Sequence, residues 1–148
     1  RPDRRKGSFN MNKQRIARMI IDIERFFSDL ENMEVKDAKT LKERQIFYAV
    51  SMVLFSIINR AIYLGEEIVS NKKLGFPENY REIFRLLNNA GIIDEKLNNG
   101  LSGLVHFRNL AAHKYQNFDE NDVYKSYREI DCVKDFINVA KGILKSEK

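Results

Sequence analysis

The chain has few of the residues on which disulfide and metal chemistry depend. Its 148 residues include one cysteine, two histidines, two prolines and no tryptophan. Lone Cys132 cannot form an intrachain disulfide, so we expect a reducing, cytoplasmic compartment and a cysteine that packs in a helix rather than reacts. His106 and His113 have no Cys-x-x-Cys or Glu-x-x-His partner in the sequence, which argues against a metal site. We therefore expect no metal and no cofactor.

Several other functional classes lack their signature as well. The sequence contains no glycine-rich phosphate loop or dinucleotide fingerprint, and nothing pairs a serine or cysteine nucleophile with a histidine and a carboxylate. No apolar run approaches the roughly 18 residues of a membrane span, and no secretory signal is visible. These absences leave a soluble protein without membrane association as the expectation.

The positive charge of the chain is concentrated at its start. The formal net charge is +5, but residues 1–10 hold four basic residues and one acidic residue, so the remainder carries +2. Because this segment precedes Met11 and contains Gly7-Ser8, we interpret it as a remnant of an expression tag. Residues 11–148 then form a single domain. Their modest basic bias permits contact with a polyanion without strongly favouring one.

Helical periodicity dominates the rest of the sequence. Apolar residues recur at steps of three and four, and no strand pattern competes with them. Helices are predicted over residues 12–32, 41–70, 77–90, 95–115 and from 119–122 to 144. The second is the expected spine of the fold, since its apolar residues cover more than one side. The fold class is thus all-α, an up-and-down bundle of four main helices plus a shorter one.

The fourth predicted helix begins after Asp94, which we interpret as its N-cap. Gly100 and Gly103 lie inside it, where each costs up to about 1 kcal/mol relative to alanine. Such a cost usually has a packing reason. Together with Ala111 and Ala112, the glycines give a smooth surface that another helix can approach, within the bundle or across a dimer.

The stretch RNLAAHKY, residues 108–115, places four functional side chains on this helix. At about 100° per residue, Arg108 and Tyr115 point within roughly 20° of each other, while Asn109 and His113 differ by about 40°. Arg108 and His113 differ by about 140°, too wide for direct contact along the helix. They converge only if the arginine bends around or a second chain supplies the facing group, so the geometry favours a shared cleft.

Both histidines also have structural interpretations. His106 lies seven residues before His113, on nearly the same stripe, and we interpret it as a surface or interface residue rather than a second base. On spacing alone, a capping or core histidine near the helix end is a better interpretation of His113 than a catalytic one.

The motif and its surroundings resemble a known family. Arg108-Asn109, followed by His113 and Tyr115, resembles the R-x4-6-H signature of the HEPN superfamily, in the R-x4-H-x-Y form typical of HepT-like toxins. The flanking sequence fits the same layout over residues 11–144. The shared features are the long second helix, the Pro77-to-Tyr80 start of the third, the Ala90-to-Asp94 junction and the acidic Asp119-to-Asp122 start after the motif.

This resemblance implies a homodimeric HEPN bundle with the two motif helices lining one positively charged cleft. It also implies a metal-independent endoribonuclease, the toxin of a toxin–antitoxin pair whose antitoxin is a minimal nucleotidyltransferase. In that family the antitoxin transfers AMP onto the motif tyrosine, here Tyr115, and silences the nuclease. Added phosphate would repel RNA from the cleft.

Each motif residue suits a step of metal-free RNA cleavage. The reaction needs a proton acceptor for the 2′-hydroxyl, a donor for the leaving 5′-oxygen and a cation on the transition state. His113 suits the proton transfers, Arg108 the phosphate, and Asn109 the orientation of either. The family often carries an acid on the second helix where the best register puts Asn59, so this chain departs from the pattern there.

Two further interpretations remain open at this point. The chain could be a non-catalytic HEPN binding module that partners a minimal nucleotidyltransferase and binds nucleotide or RNA without cutting it. It could also be a helical dimer in which the motif is only structural.

Overall fold

The computed structural model describes residues 2–113 and 118–146, with side chains from residue 13 onward, and these residues form helices and connecting turns without a strand. The elements are α1 (Pro2–Asn32), a short 3-10 helix (Ala38–Lys42), α2 (Arg44–Asn71), α3 (Tyr80–Asn89), α4 (Glu95–His113), α5 (Glu120–Glu129) and α6 (Cys132–Ser146). The predicted all-α class is confirmed.

Ion pairs along α1 show the up-and-down arrangement. Its N-terminal part pairs with the end of α2 and its middle with an earlier turn of α2, so the two helices are antiparallel. The same holds between α1 and α6. The pairs are Arg15 with Glu67, Asp22 with Arg60, Glu24 with Lys141 and Glu31 with Lys134. At least one side chain of each pair is exposed, so the pairs contribute orientation more than stability.

Helix α2 is the spine of the bundle, as predicted. It packs against α1, α3, α4, α5, α6 and the 3-10 helix. Its buried apolar residues lie on several sides and include Phe47, Val50, Leu54, Ile57, Ile58, Ala61, Leu64 and Ile68. By length and composition alone α2 would be able to cross a membrane, with a mean hydropathy of 1.6 over its most apolar window. Half of that window is buried inside the bundle. The buried core helix of a globular protein can have the same mean hydropathy as a membrane span.

Three predicted helix starts differ from the structure. Helix α1 begins at Pro2 rather than residue 12; proline suits the first turn of a helix, and Gly7 alone does not stop one. Helix α2 begins at Arg44 rather than Leu41, because extended backbone at Glu43 separates it from the 3-10 helix. Helix α3 begins at Tyr80, because the Asn79 side chain accepts a hydrogen bond from the Glu82 amide and so caps the helix.

The single fifth helix predicted from about residue 120 to 144 is wrong, because the structure has two helices there. A turn at Ile130 and Asp131 separates α5 from α6, with amide hydrogen bonds from Val133 to Ile130 and from Lys134 to Asp131. Ile130 in the turn and Val133 at the start of α6 are both buried. The apolar period therefore continues through the break and conceals it.

Candidate active site

Arg108 is held by side chains from two helices. Its Nε donates a hydrogen bond of 2.9 Å to Asn59 Oδ1 on α2, and its Nη1 donates one of 3.3 Å to Asn109 Oδ1 beside it on α4. Arg108, Asn109 and Asn59 are all half-buried. The structure thus brings together three of the residues that the sequence singled out.

Two aromatic rings cover the guanidinium of Arg108. Its Cζ lies 4.7 Å from the ring centre of Tyr80 on α3 and 5.5 Å from that of Phe55 on α2. Sequence reasoning missed both as site residues and assigned Tyr80 only to the apolar face of its helix. For Phe55 a signal existed, because it lies four residues before Asn59 and so on the same face of α2.

The partners of Arg108 are uncharged. Among the described side chains, no carboxylate lies within ion-pairing distance of its guanidinium, whereas Arg60, one residue from Asn59, pairs with Asp22 on α1. A guanidinium has five N–H donors, and the two bonds to asparagine use two of them. Among the described residues, three donors of Arg108 therefore have no hydrogen-bond partner and are placed to meet an anion.

His113 is the last residue of α4 and is exposed. Among the described residues no hydrogen bond joins it to Arg108, as the 140° offset predicted. His106 is also exposed but lines a different surface, so the near alignment of the two histidines does not bring His106 to Arg108. Tyr115 lies outside the described residues, and its role remains a prediction.

The end of the motif helix lies beside the start of α2. Phe118, the first described residue after His113, stacks on Phe47 with ring centres 5.5 Å apart and meets Phe107 edge-on at 5.9 Å. Phe107 is buried, while Leu110 is only half-buried. After the motif, Phe118 therefore lies beside the N-terminal end of α2.

The glycines of α4 face another part of the same chain. A Cβ at Gly100 would lie 3.1 Å from Cys132 Sγ, and one at Gly103 would lie 3.4 Å from Glu129 Oε2. Of the two uses left open by the sequence, the close helix approach at Gly100 and Gly103 is thus made within the bundle. Ala111 is half-buried and Ala112 is exposed.

A groove of about 1470 Å³ runs along this glycine face. Its lining includes Asp94, Gly100, Gly103, His106, Ser126 and Glu129. Arg108, Asn109, Asn59 and His113 lie outside it. Arg108, about 200° around the helix from His106, lies on the opposite face of α4 from the groove.

An exposed apolar strip continues the site along α2. Tyr48, Met52 and Tyr63 are 58%, 72% and 42% exposed and lie on the face that carries Asn59. Arg44 begins this face, with its Cζ 4.9 Å from the Tyr48 ring and its Nη2 donating to the Tyr48 hydroxyl. The strip was not predicted, because the apolar period of α2 also covers its buried sides.

No group of three or more His, Cys, Asp or Glu side chains within residues 13–113 and 118–146 is arranged to hold a metal ion. The Arg108 guanidinium is not a metal ligand, whereas its planar set of donors matches the geometry of a phosphate.

A family model described as ribonuclease HepT-like matches residues 16–140, which is most of the chain. This chain belongs to the ribonuclease HepT-like family. The resemblance inferred from the motif and its flanks is thereby confirmed, and so is the expectation of a ribonuclease at the level of the family.

Individual HepT-like relatives match over nearly the whole chain. The mRNA nuclease HepT of Shewanella oneidensis is 27% identical over 128 residues, which cover 86% of this chain and 91% of the relative. A tri-AMPylated HEPN toxin of the same organism, solved in complex with its MNT antitoxin, superposes with a TM-score of 0.78 at 25% identity, over 86% of this chain and 97% of that one. A toxin–antitoxin structure with AMP-PNP gives a TM-score of 0.80 at 22% identity, over 87% and 98%.

Proposed function

We propose that this HepT-like chain is a metal-independent endoribonuclease toxin that uses Arg108 and His113. The observation that carries the proposal is that two uncharged asparagine side chains hold Arg108 in place, in a chain whose family is described as ribonuclease HepT-like. Arg108 binds the scissile phosphate through its three remaining donors and stabilises the negative charge that develops there. His113 transfers protons, and Asn109 and Asn59 hold the arginine in place.

The protein acts as a homodimer in this proposal. Arg108 and His113 diverge on α4, so one copy does not bring both to the same phosphate. The exposed strip of Tyr48, Met52 and Tyr63 runs beside Arg108 and offers a self-complementary apolar surface to a second copy. A two-fold axis there supplies His113 of one copy opposite Arg108 of the other.

The nuclease is silenced by a minimal nucleotidyltransferase antitoxin that transfers AMP to Tyr115. Tyr115 is two residues beyond His113 in the sequence, so each AMP adds negative charge close to the proposed RNA site. The tri-AMPylated state of the Shewanella oneidensis toxin supports this regulation. We place the pair in the cytoplasm, where its RNA substrate is found.

A second function has one observation in its favour. Outside the first ten residues the net charge is only +2, which suits a binding module that partners a nucleotidyltransferase and holds nucleotide or RNA without cutting it. Expression of the chain alone separates the two: growth arrest favours the toxin, and normal growth favours the module.

The proposal is tested by incubating purified protein with total RNA in the presence of a chelator. The wild-type protein is compared with His113→Ala and with His106→Ala, a matched change of another exposed histidine two turns earlier on α4. Wild type and His106→Ala are expected to degrade the RNA, and His113→Ala to lose roughly 10² to 10⁴-fold in rate. Equal cleavage by all three, or none by AMP-free wild type, rejects the proposal.

Regulation is tested separately by intact mass measurement of the protein expressed with a nucleotidyltransferase partner. Additions in steps of one AMP are expected on wild type and absent from Tyr115→Phe. The Tyr115→Phe protein is also expected to stay toxic beside an active antitoxin. Additions that persist on Tyr115→Phe would place the modification elsewhere.

A further inference from the structure

Among the described residues, Tyr80 makes the nearest aromatic contact to the Arg108 guanidinium, at 4.7 Å from ring centre to Cζ. The ring reaches the motif from a third helix, since Tyr80 is the first residue of α3 whereas Asn59 and Arg108 belong to α2 and α4. Its place is fixed by the Asn79 cap, in which Oδ1 accepts from the Glu82 amide at 3.0 Å. Tyr80 itself is half-buried.

We propose that Tyr80 is a positioning residue for Arg108, a platform that fixes the plane of the guanidinium while leaving its charge free for the RNA phosphate. This inference rests on the proposed function. The hydrogen bonds to Asn59 and Asn109 hold one edge of the guanidinium, and an edge contact alone leaves the plane free to tilt. Contact with the Tyr80 ring removes that freedom, because a cation is attracted to the face of an aromatic ring.

An aromatic ring is a better anchor for the Arg108 guanidinium than a carboxylate, because the ring carries no negative charge. An acidic partner would anchor Arg108 more tightly, but it would cancel much of the positive field that attracts a phosphate. Two amides and two rings anchor the same side chain without that cancellation. Asn59 in place of the acid and Tyr80 under the guanidinium are thus two parts of one arrangement.

Phe55 contributes less to this platform. Its ring centre lies 5.5 Å from Cζ, and it belongs to the same helix as Asn59, so it adds no anchor from a new direction. Tyr80 ties the guanidinium to α3 and thereby connects all three helices. Fixing a group in its working orientation before substrate arrives is what lowers the barrier at a charged transition state.

The experiment compares the intact protein with Tyr80→Phe, which keeps the ring, and Tyr80→Leu, which removes it. Tyr127→Leu serves as the matched control, since Tyr127 is a half-buried tyrosine that stacks on Tyr124 of α5. On an RNA oligonucleotide, Tyr80→Leu is expected to lower kcat roughly tenfold with a smaller change in KM, because the arginine acts mainly on the transition state. Tyr80→Phe and Tyr127→Leu are expected to stay close to wild type.

A second measurement does not depend on cleavage. In ¹⁵N-labelled protein the Arg108 Nε–H resonance, assigned by its loss in Arg108→Lys, is expected to carry an upfield ring-current shift that Tyr80→Phe keeps and Tyr80→Leu loses. A Tyr80→Leu protein with wild-type kcat and an unmoved resonance overturns the inference. Loss of the shift with kcat unchanged also overturns it, because the ring would then touch Arg108 without positioning it for the reaction.

Failure of the proposed function gives a different pattern. If AMP-free wild-type protein cleaves no RNA, that function is rejected, and binding of a non-cleavable 2′-O-methyl oligonucleotide then decides the role of Tyr80. The platform predicts weaker binding by Tyr80→Leu than by Tyr80→Phe. Equal binding by the two variants overturns it.

Discussion

Arg108 and Asn59, 49 positions apart in the sequence, are joined by a hydrogen bond of 2.9 Å from Nε to Oδ1. The partner of the motif arginine on α2 is thus an uncharged amide. The bond fixes the motif arginine on the spine helix α2, and it leaves the charge of the guanidinium uncompensated by any described carboxylate. The proposed phosphate site follows from this pairing.

Asn59 variants separate anchoring from charge. Asn59→Leu is expected to lower kcat/KM by about tenfold or more, because it removes a hydrogen bond to a charged group. Asn59→Asp keeps the anchor but places a negative charge at the guanidinium, so KM for RNA is expected to rise by about fivefold at low salt. Steady-state kinetics on one oligonucleotide check both. Wild-type kinetics for Asn59→Leu would show that the bond is not used.

Mixed dimers test whether the site is shared between copies. Arg108→Ala and His113→Ala proteins are each expected to be inactive, but after unfolding and refolding together they are expected to regain about a quarter of wild-type activity, since about half of a random mixture is heterodimer with one of two composite sites intact. Refolding each variant alone is the control. A mixture as inactive as its components would place Arg108 and His113 in one copy.

Two glycines should respond in opposite directions to alanine. A Cβ at Gly65 would lie 2.8 Å from Ile83 Cγ2 and 3.2 Å from Phe84, so Gly65→Ala is expected to lower the free energy of unfolding by about 1–3 kcal/mol. Gly142 has nothing within 4 Å of its Cβ position, and Gly142→Ala is expected to raise the free energy of unfolding by up to about 1 kcal/mol. Urea denaturation measures both. A tolerated Gly65→Ala would mean that α3 does not pack this closely on α2.

Cys132 is expected to be unreactive in the native protein. Burial, reinforced by the charges of Asp135 and Glu129, raises the pKa of its thiol to about 12 from an ordinary value of 9.0. Because only the thiolate reacts, alkylation by iodoacetamide at pH 8 is expected to be at least about a hundredfold slower in the native than in the urea-unfolded protein. Equal rates in both states would show that the α4–α6 contact at Gly100 is open.

Local signals explain which parts of the fold were predictable. The Asp94 cap and the buried residues Leu97, Leu101 and Leu104 are sequence features of α4 alone, and the structure confirms them. The spine role of α2 followed from an apolar surface too wide for one side. Contacts between distant helices were harder to predict. Asn59 was singled out through the family register, but its bond to Arg108 was not predicted.

The missed features depend on tertiary packing. Tyr80 reaches Arg108 because α3 packs on α2 at Gly65, and no local pattern encodes that distance. The break between α5 and α6 keeps helical backbone angles at Ile130, with φ −63° and ψ −24°, and it keeps the apolar register, so neither proline nor periodicity marks it. The groove beside His106 arises only when α4, α5 and α6 come together.

The central proposal is that the RNA 2′-hydroxyl attacks the adjacent phosphate in the His113 site without a metal ion. The decisive measurement follows cleavage of an RNA oligonucleotide by AMP-free protein in a chelator, beside the same oligonucleotide with one 2′-deoxy position at the cleavage site. The expected result is a cyclic 2′,3′-phosphate end from the RNA and no cleavage at the deoxy position. The His113→Ala protein is expected to cleave neither oligonucleotide. Cleavage at the deoxy position, or equal cleavage by His113→Ala, would contradict it.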